Sequence, residues 1–221
     1  RSLGTMNEQP GTTGRFARVI LAAGQSRRMG EPKALLPLGD RNAIERVIEA
    51  AGSIVELTVV VANPLLADAL GGFGAGGREG FELVLNTDPG SEQIDSLKMG
   101  IERMISSMEE PPDGFFLHPV DYPLVGEEDY RALRAAFSEP PGTGIDVFQP
   151  VFAERHGHPV LCRYSLARRF LELPAGGTAR DVIRSCPRGY VPTSNPGVVE
   201  DMDTPEDYSR LLERIERGEA P

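Results

Sequence analysis

Apolar residues follow two patterns along this chain, and segments with one pattern alternate with segments with the other. In one, several apolar residues follow one another directly, as in residues 16–21, which is typical of a buried strand. In the other, they return every three or four positions, which predicts a helix with one buried face. Strands that alternate with helices predict an α/β fold with a mostly parallel sheet flanked by helices. The expected strands are residues 16–21, 57–62, 82–86, a run from 114, 146–152, 158–163 and 197–200, and the expected helices are residues 43–51, 65–70, 94–108, 127–137, 166–173 and 205–215.

The length of the chain and its polar stretches indicate one domain. A chain of 221 residues suits a single α/β domain that buries about 70% of the surface exposed when unfolded. Residues 1–14 are almost devoid of apolar side chains and are predicted to form a disordered tail, so the domain spans residues 15–221. The glycine-rich residues 71–80 are predicted to form an exposed, mobile connection.

Charge and cysteine content narrow the class of protein. The net charge of −10 argues against DNA, RNA and anionic membranes as main partners, because most of the surface would repel them. Cys162 and Cys186 have the spacing of neither a metal site nor a disulfide framework. No apolar stretch resembles a signal peptide or a membrane span. These features predict a reduced, cytoplasmic protein.

The most informative stretch is residues 21–37 (LAAGQSRRMGEPKALLP), which follows the first expected strand. Its small residues let main-chain N–H groups face a ligand, and Ser26, Arg27 and Arg28 add side-chain donors. Lys33 is one of only two lysines among 23 basic residues and supplies a compact positive charge. These donors suit a polyphosphate, although a surface turn with solvated basic residues also explains them. The P-loop and the dinucleotide-binding fingerprint are both absent.

This stretch resembles the signature loop of the MobA-like nucleotidyltransferases, and within that family it is most similar to the molybdenum cofactor cytidylyltransferases. The resemblance implies a three-layer Rossmann-like nucleotidyltransferase fold whose loop binds a nucleoside triphosphate, with Arg28 and Lys33 on the phosphates. The form Ala22-Ala23-Gly24 favours CTP over GTP. The nucleotide-binding residues that the resemblance implies are Leu21, Ala22, Ala23, Gly24, Ser26, Arg27, Arg28, Lys33, Asn86 and Ser96.

Asn86 and Ser96 lie on either side of a loop between the third expected strand and the next helix, for which Ser91 or Asp95 is the expected cap. By residue type alone, Asn86 would be a turn residue and Ser96 a residue of the first helical turn. The resemblance instead implies that both lie near the base and ribose of the nucleotide.

Asp121 follows the fourth expected strand, at the edge where open α/β sheets bind ligands. An aspartate before a proline is by itself more often a turn residue than a metal ligand. The resemblance implies that Asp121 holds the catalytic Mg²⁺, although Tyr122 departs from the family's usual Asp-Gln-Pro. His118, in the strand, is expected to be neutral and hydrogen-bonded beneath the site.

Asp201 and Asp203 precede the last helix, which Thr204 caps and Pro205 opens. Two residues apart on an extended segment, they project to the same side and repel each other unless a cation lies near. The segment resembles the family's closing motif, in which an aspartate completes the Mg²⁺ site. Asp201 is the favoured ligand and Asp203 the second.

Residues 155–159 (RHGHP) resemble the Gly-His-Pro motif on the acceptor side of the cytidylyl members. Because no third histidine or cysteine lies nearby, hydrogen bonds to an anionic acceptor are favoured over metal binding, and a polar hairpin turn is the other alternative. Arg180 lies in a second family-like stretch and either contacts a phosphate of the acceptor or is a solvated arginine. The acceptor-binding residues implied are His156, Gly157, His158, Pro159 and Arg180.

The resemblance implies Mg²⁺-dependent transfer of CMP from CTP to the terminal phosphate of molybdopterin cofactor, with pyrophosphate released and with Arg28, Lys33 and Asp121 as the catalytic residues. A phosphomonoester is mostly a dianion at neutral pH, so no general base is needed. The alternatives are a sugar phosphate or another small phosphomonoester as acceptor, and a protein that binds nucleotide or cofactor without turnover. A molybdoenzyme or its chaperone is a further possible partner.

Overall fold

A computed structural model describes residues 14–24, 32–75, 79–138 and 144–221. Seven helices and ten strands lie in these ranges, together with short 3-10 turns. The α-helices are α1 (Ala43–Glu49), α2 (Ala67–Ala75), α3 (Gln93–Ser107), α4 (Glu127–Ser138), α5 (Ala167–Leu171), α6 (Ala179–Arg184) and α7 (Pro205–Glu216). The strands are β1 (Phe16–Ala22), β2 (Pro37–Leu38), β3 (Arg41–Asn42), β4 (Leu57–Ala62), β5 (Phe81–Leu85), β6 (Gly114–Pro119), β7 (Val147–Phe152), β8 (Arg155–His156), β9 (Val160–Arg163) and β10 (Arg188–Pro192).

The main sheet has the strand order β10-β7-β9-β6-β1-β4-β5, with β8 paired to β7. β1 runs parallel to both β4 and β6, and β9 is antiparallel to its two neighbours, β6 and β7. The sheet is therefore mixed but mostly parallel, as the strand and helix alternation predicted. Because β1, β4 and β6 end at the same edge, the loops that follow them meet there.

Two helical layers cover the sheet and make the fold three-layered. Alternate residues of β1 face opposite sides, so Val19 packs in the cluster that holds α3 and α5, and Ile20 packs in the cluster that holds α1. α3 lies close to the sheet at Gly100, where an added Cβ would stand 2.4 Å from Cγ1 of Val19. The fold class predicted from the sequence is confirmed.

Arg18 is a charged residue inside this core, with 1% of its surface exposed. Its guanidinium donates to the carbonyl oxygens of Val47 and Ile48, each at 2.6 Å, at the end of α1. It also donates to the hydroxyls of Thr58 at 3.1 Å and Tyr130 at 3.2 Å. Helix ends leave carbonyl groups without intrahelical partners, and Arg18 satisfies two of them from the sheet.

The strand predicted at residues 197–200 is wrong. Asn195 caps a 3-10 turn, Pro196–Val198, by accepting from the N–H of Gly197 at 2.8 Å. The last strand is instead β10 (Arg188–Pro192), which pairs parallel with β7. No residue of β10 is fully buried, so the strand lacks the apolar run that marks the central strands.

Two further boundaries differ from the prediction. The glycine-rich residues 71–75 continue α2 rather than starting an exposed connection, whereas residues 76–78 lie outside the described ranges. α3 is capped by Glu92, not by Ser91 or Asp95, because the Asp95 carboxylate accepts from the Glu92 N–H at 2.8 Å as the other half of a capping box. The predicted tail also lies outside the described part of the chain, except for Gly14.

None of the helices that the structure describes combines the length and apolar character needed to cross a membrane.

Candidate active site

Two clefts open at the edge of the sheet where β1, β4 and β6 end. The first cleft, of about 180 Å³, is lined by the end of β1, by Lys33, by the start of α3 and by Asp121. The second cleft, of about 700 Å³, is lined by Tyr122, by the histidines near β8 and by α6. Leu21, Glu92 and Gln93 line both clefts, which therefore adjoin.

Lys33 lies between two carboxylates in the first cleft. Its ammonium nitrogen is 2.7 Å from Oδ1 of Asp121 and 2.8 Å from Oδ1 of Asp203. Burial disfavours the charged ammonium, but the two ion pairs outweigh that effect and raise the pKa of Lys33 above its usual value. Lys33 is therefore a fixed positive charge at neutral pH.

Asp121 follows β6 and is the most buried of the three aspartates at this site. Burial raises the pKa of its carboxyl group, the Lys33 ammonium opposes that rise, and the negative charges of Asp203 and Asp201 add to it. The N–H of Met202 donates to the Asp121 carbonyl at 2.9 Å, which ties the segment carrying Asp201 and Asp203 to the end of β6. The carboxylates of Asp121, Asp201 and Asp203 therefore all lie near Lys33.

Asp203, rather than the favoured Asp201, faces Asp121 across the Lys33 ammonium. Within the described residues Asp201 forms no ion pair with Lys33. Partial burial and the negative charges of Asp203 and Asp207 raise the pKa of the Asp201 carboxyl. The charge of Asp201 in turn helps to raise the pKa of Asp121, so Asp201 lies close to the other two carboxylates. The pairing could not be read from the sequence, where both aspartates precede the helix cap Thr204 and can project to the same side of an extended segment.

The donor set around Lys33 suits a hard divalent cation. Mg²⁺ takes oxygen ligands and is usually held by one or two protein carboxylates, with phosphate oxygens and water completing the set. Oxygens of Asp121 and Asp203 already converge on a single cationic centre, the Lys33 ammonium. No cluster of three or more potential metal ligands occurs in the ranges that the structure describes. The two carboxylate oxygens therefore fit the ligand type that such a cation takes from a protein.

Asn86 and Ser96, both buried, contact each other. The Asn86 amide donates to Oγ of Ser96 at 2.9 Å and to Oγ of Ser91 at 2.7 Å, and its oxygen accepts from the Asp88 N–H at 3.1 Å. These bonds use both hydrogens and the oxygen of the amide, so Asn86 shapes the loop before α3. Ser96 lines the first cleft, and Asn86 lines an adjoining hollow of about 370 Å³.

The end of β1 forms one wall of the first cleft with residues 21–24. Gly24 has open space where a Cβ would be, and its carbonyl accepts from the Asn63 amide at 3.3 Å. Asn63 is a cleft residue that sequence reasoning missed, although its place directly after β4 was an available signal. Ser26, Arg27 and Arg28, the predicted phosphate donors, lie outside the described residues.

The predicted acceptor residues divide into two groups. His156, His158 and Arg180 line the second cleft. Gly157 and Pro159 are buried, and an added Cβ on Gly157 would stand 2.2 Å from the Val198 carbonyl oxygen. Gly157 therefore allows close packing rather than ligand contact.

His158 is neutral at pH 7. Burial, together with the nearby charge of Arg180, lowers the pKa of its imidazole to about 4, against an opposing hydrogen bond to the Leu117 backbone. Its ring packs against Tyr122 with centroids 4.4 Å apart, and its Nδ1 has no partner among the described residues. His158 therefore brings no positive charge to an anionic ligand. His156 is exposed and stacks on Tyr190 at 4.3 Å.

His118 lies beneath the loop that carries Asp121, with no exposed surface. Its Nδ1 meets the Tyr130 hydroxyl and its Nε2 lies 3.0 Å from the Tyr122 carbonyl oxygen. Burial is the main cause that lowers its pKa to about 3, and the Arg18 charge adds to the effect. The expectation of a neutral, hydrogen-bonded histidine is confirmed.

The sequence model of the MobA-like NTP transferase domain matches residues 18–190. The molybdenum cofactor guanylyltransferase of Rhodobacter capsulatus is 29% identical to this chain over 218 residues, which are 94% of this chain and all of that protein.

Two solved structures share the fold. The homolog of Mycobacterium tuberculosis rv0371c from Mycobacterium sp. strain JC1 is 24% identical, with a TM-score of 0.71 over 92% of this chain and 98% of that one. The complex of Rv0371C from Mycobacterium tuberculosis H37Rv with manganese is 21% identical, with a TM-score of 0.66 over 90% of this chain and 98% of that one.

Proposed function

Because this chain belongs to the MobA-like NTP transferase family and is a nucleotidyltransferase, we propose that it transfers CMP from CTP to the terminal phosphate of molybdopterin cofactor and releases pyrophosphate. The observation that carries the proposal is the position of Lys33, which lines the first cleft, between Asp121 and Asp203. This arrangement supplies a fixed cation and a pair of carboxylates at one point, as charge neutralisation on a transferring phosphoryl group requires.

The nucleotide occupies the first cleft in this proposal. The backbone of residues 22–24 and the Lys33 ammonium face this cleft, and Ser26, Arg27 and Arg28 follow directly in the chain. Asn86 and Ser96 hold the loop beside the base and ribose. The acceptor occupies the second cleft, where Tyr122 adjoins Asp121 and brings the acceptor phosphate to the α-phosphate of the nucleotide.

The reaction forms one bond and breaks one. An oxygen of the acceptor phosphate attacks the α-phosphorus, and the bond from that phosphorus to the oxygen of the β-phosphate breaks, so that pyrophosphate leaves with the electron pair. Lys33 exchanges its carboxylate partners for phosphate oxygens and, with Arg28, neutralises the departing pyrophosphate. The clefts fix the two reactants in line, which removes much of the entropic cost of the encounter.

A divalent metal, which we propose to be Mg²⁺, supplies Lewis-acid stabilisation of the α-phosphate when bound. Asp121 and Asp203 would hold it, and Asp201 adds negative charge nearby. The converging carboxylate oxygens support this assignment, as does the manganese complex of the mycobacterial protein with the same fold.

GTP is the second candidate nucleotide. The sequence Ala22-Ala23-Gly24 supports CTP, whereas the Rhodobacter capsulatus relative is named a guanylyltransferase. A sugar phosphate or another small phosphomonoester is the alternative acceptor. In the proposed role the enzyme acts in the cytoplasm and passes the dinucleotide cofactor to a molybdoenzyme or its chaperone.

Pyrophosphate release tests the proposal. Each of CTP, GTP, ATP and UTP is supplied with Mg²⁺, with and without molybdenum-loaded pterin cofactor. Release with CTP that requires the cofactor, and that Lys33→Ala abolishes, would support the proposal. Lys98→Ala is the matched control, because the other lysine donates to the Leu173 carbonyl and not to a carboxylate. Release with GTP and not with CTP would identify GTP as the nucleotide substrate. Release only when a sugar phosphate is supplied would identify a sugar phosphate as the acceptor.

A further inference from the structure

Three arginines, Arg180, Arg184 and Arg188, line the second cleft. In the described part of the chain none of them donates a hydrogen bond or forms an ion pair, although the Thr178 hydrogen bonds lower the pKa of the Asp181 carboxyl and the charges of Arg184 and Arg180 add to that effect. Arg188 only lies over the Tyr190 ring, 5.7 Å from its centroid. Asp181, between the first two, uses its carboxylate to accept from the N–H and hydroxyl of Thr178.

The other described arginines are almost all engaged. Apart from Arg103 and Arg134, each donates to a carboxylate, a carbonyl, a hydroxyl or a thiol. Unengaged guanidinium groups are thus concentrated in one cleft of a protein whose net charge is −10. A guanidinium is a planar fork that suits phosphate and carboxylate oxygens, so this concentration favours an anionic ligand.

This basic wall is separate from the reacting groups. Arg180, Arg184 and Arg188 line the second cleft, whereas Lys33 and Asp121 line the first. The charge of Arg180 adds to burial in lowering the pKa of His158, which lines the same cleft. The apolar side chains of Leu97, Leu117 and Val160 lie along the same cleft.

We propose that the acceptor carries a second anionic group, distinct from the phosphate that attacks the nucleotide, and that Arg180, Arg184 and Arg188 bind it. The inference rests on the proposed function, since it takes the second cleft as the acceptor site. The ligand class is an elongated phosphomonoester with an apolar or flat body between two anionic ends. Arg184 and Arg188, which sequence reasoning missed, are then specificity-determining residues.

The first test compares the double variant Arg184→Ala/Arg188→Ala with the matched control Arg103→Ala/Arg134→Ala. Within the described ranges none of these four side chains donates a hydrogen bond or forms an ion pair, so neither variant removes such a contact there. The cleft variant is expected to raise the KM for molybdenum-loaded pterin cofactor at least tenfold, to leave the KM for the nucleotide unchanged, and to weaken the salt dependence of kcat/KM. Equal acceptor KM values in the two variants would overturn the proposal.

A second test does not depend on turnover. Arginine Nε–H resonances of the full chain are followed by NMR while inorganic phosphate is added, and the signals of Arg184 and Arg188 are identified as those missing from the cleft variant. These signals are expected to shift at lower phosphate concentration than those of Arg103 and Arg134. Equal responses would overturn the inference. Selective shifts in a protein that releases no pyrophosphate would show that these arginines bind an anion but would refute the proposed function and, with it, the assignment of that anion to the acceptor.

Discussion

The ammonium of Lys33 occupies the space between the carboxylates of Asp121 and Asp203, at 2.7 and 2.8 Å from their oxygens. These residues come from three separate segments, namely a 3-10 turn, the end of β6 and the approach to α7. In the proposed mechanism, a metal held by these carboxylates would compete with Lys33 for them until a triphosphate offered the lysine other oxygens.

Replacing Lys33 with methionine is expected to strengthen metal binding by the nucleotide-free protein. The substitution removes the counter-ion that Lys33 supplies to the two carboxylates, and a divalent cation then relieves their repulsion. Mn²⁺ titrated into the protein and followed by electron paramagnetic resonance should show about tenfold tighter binding to Lys33→Met than to the parent. Lys98→Met is the control, and weaker binding to Lys33→Met would contradict the competition.

Arg18→Met should destabilise the fold by about 2–3 kcal/mol. The substitution leaves the Val47 and Ile48 carbonyls without the donors that this buried guanidinium supplies, and part of the cost is offset because a buried charge is removed. Urea unfolding at pH 7 measures the difference.

The control for Arg18 is Arg15→Met. Arg15 forms ion pairs with Glu56 and Glu110 at the surface, where solvent screening leaves such pairs little effect on stability. If the two variants lost the same stability, the buried hydrogen bonds of Arg18 would contribute no more to the free energy of unfolding than the surface ion pairs of Arg15.

Acid should destabilise the protein partly through His118. Its pKa is lowered from 6.5 to about 3 in the folded state, so between these pH values the unfolded chain binds a proton that the folded chain does not. The free energy of unfolding therefore falls as the pH falls through this window, by about 2 kcal/mol from this group between pH 6.5 and 5.

His118→Gln tests this dependence against His156→Gln. Urea unfolding at pH 7 and pH 5 should show a smaller loss of stability for His118→Gln than for the parent. His156 is exposed and should leave the loss unchanged. Equal losses in all three proteins would mean that His118 does not titrate as its burial requires.

Gly100→Ala should destabilise the protein by about 1–3 kcal/mol, although alanine favours a helix. The added Cβ would stand 2.4 Å from Cγ1 of Val19 and 3.0 Å from Cγ2 of Val61, which forces α3 away from the sheet. Gly71→Ala in α2 is the control, because nothing lies within 4 Å of its added Cβ and the change should stabilise by up to about 1 kcal/mol. Thermal unfolding followed by circular dichroism distinguishes the two.

The central strands could be predicted because their signal is local. β1 and β4 are apolar except at Arg18 and Thr58 and are largely buried on both faces, and the cap Thr204 was visible as a residue before a helix. β10 carries no such run, since its strand conformation depends on pairing with β7. The 3-10 turn at Pro196 was missed because Val198 and Val199 suggested a strand.

Residues of the candidate site could be predicted where they directly follow a strand in the sequence. Asp121 and residues 21–24 stand at the ends of β6 and β1, so sequence order alone placed them at the ligand edge. The contact of Lys33 with Asp203 joins distant segments and required the fold. Arg184 and Arg188 likewise became cleft residues only through the packing of α6 and β10.

The three aspartates are expected to contribute unequally to the affinity for a divalent metal. Asp121 and Asp203 approach one cation directly, whereas Asp201 acts on them only through its charge. We therefore expect Asp121→Asn and Asp203→Asn each to weaken Mn²⁺ binding at least tenfold in the presence of CTP, and Asp201→Asn to weaken it less than threefold. Asp207→Asn is a poor control because its carboxylate caps α7, so Asp40→Asn, at an exposed site, serves instead. A larger loss from Asp201→Asn than from Asp203→Asn would assign the second ligand to Asp201 and require the segment before α7 to turn when nucleotide binds.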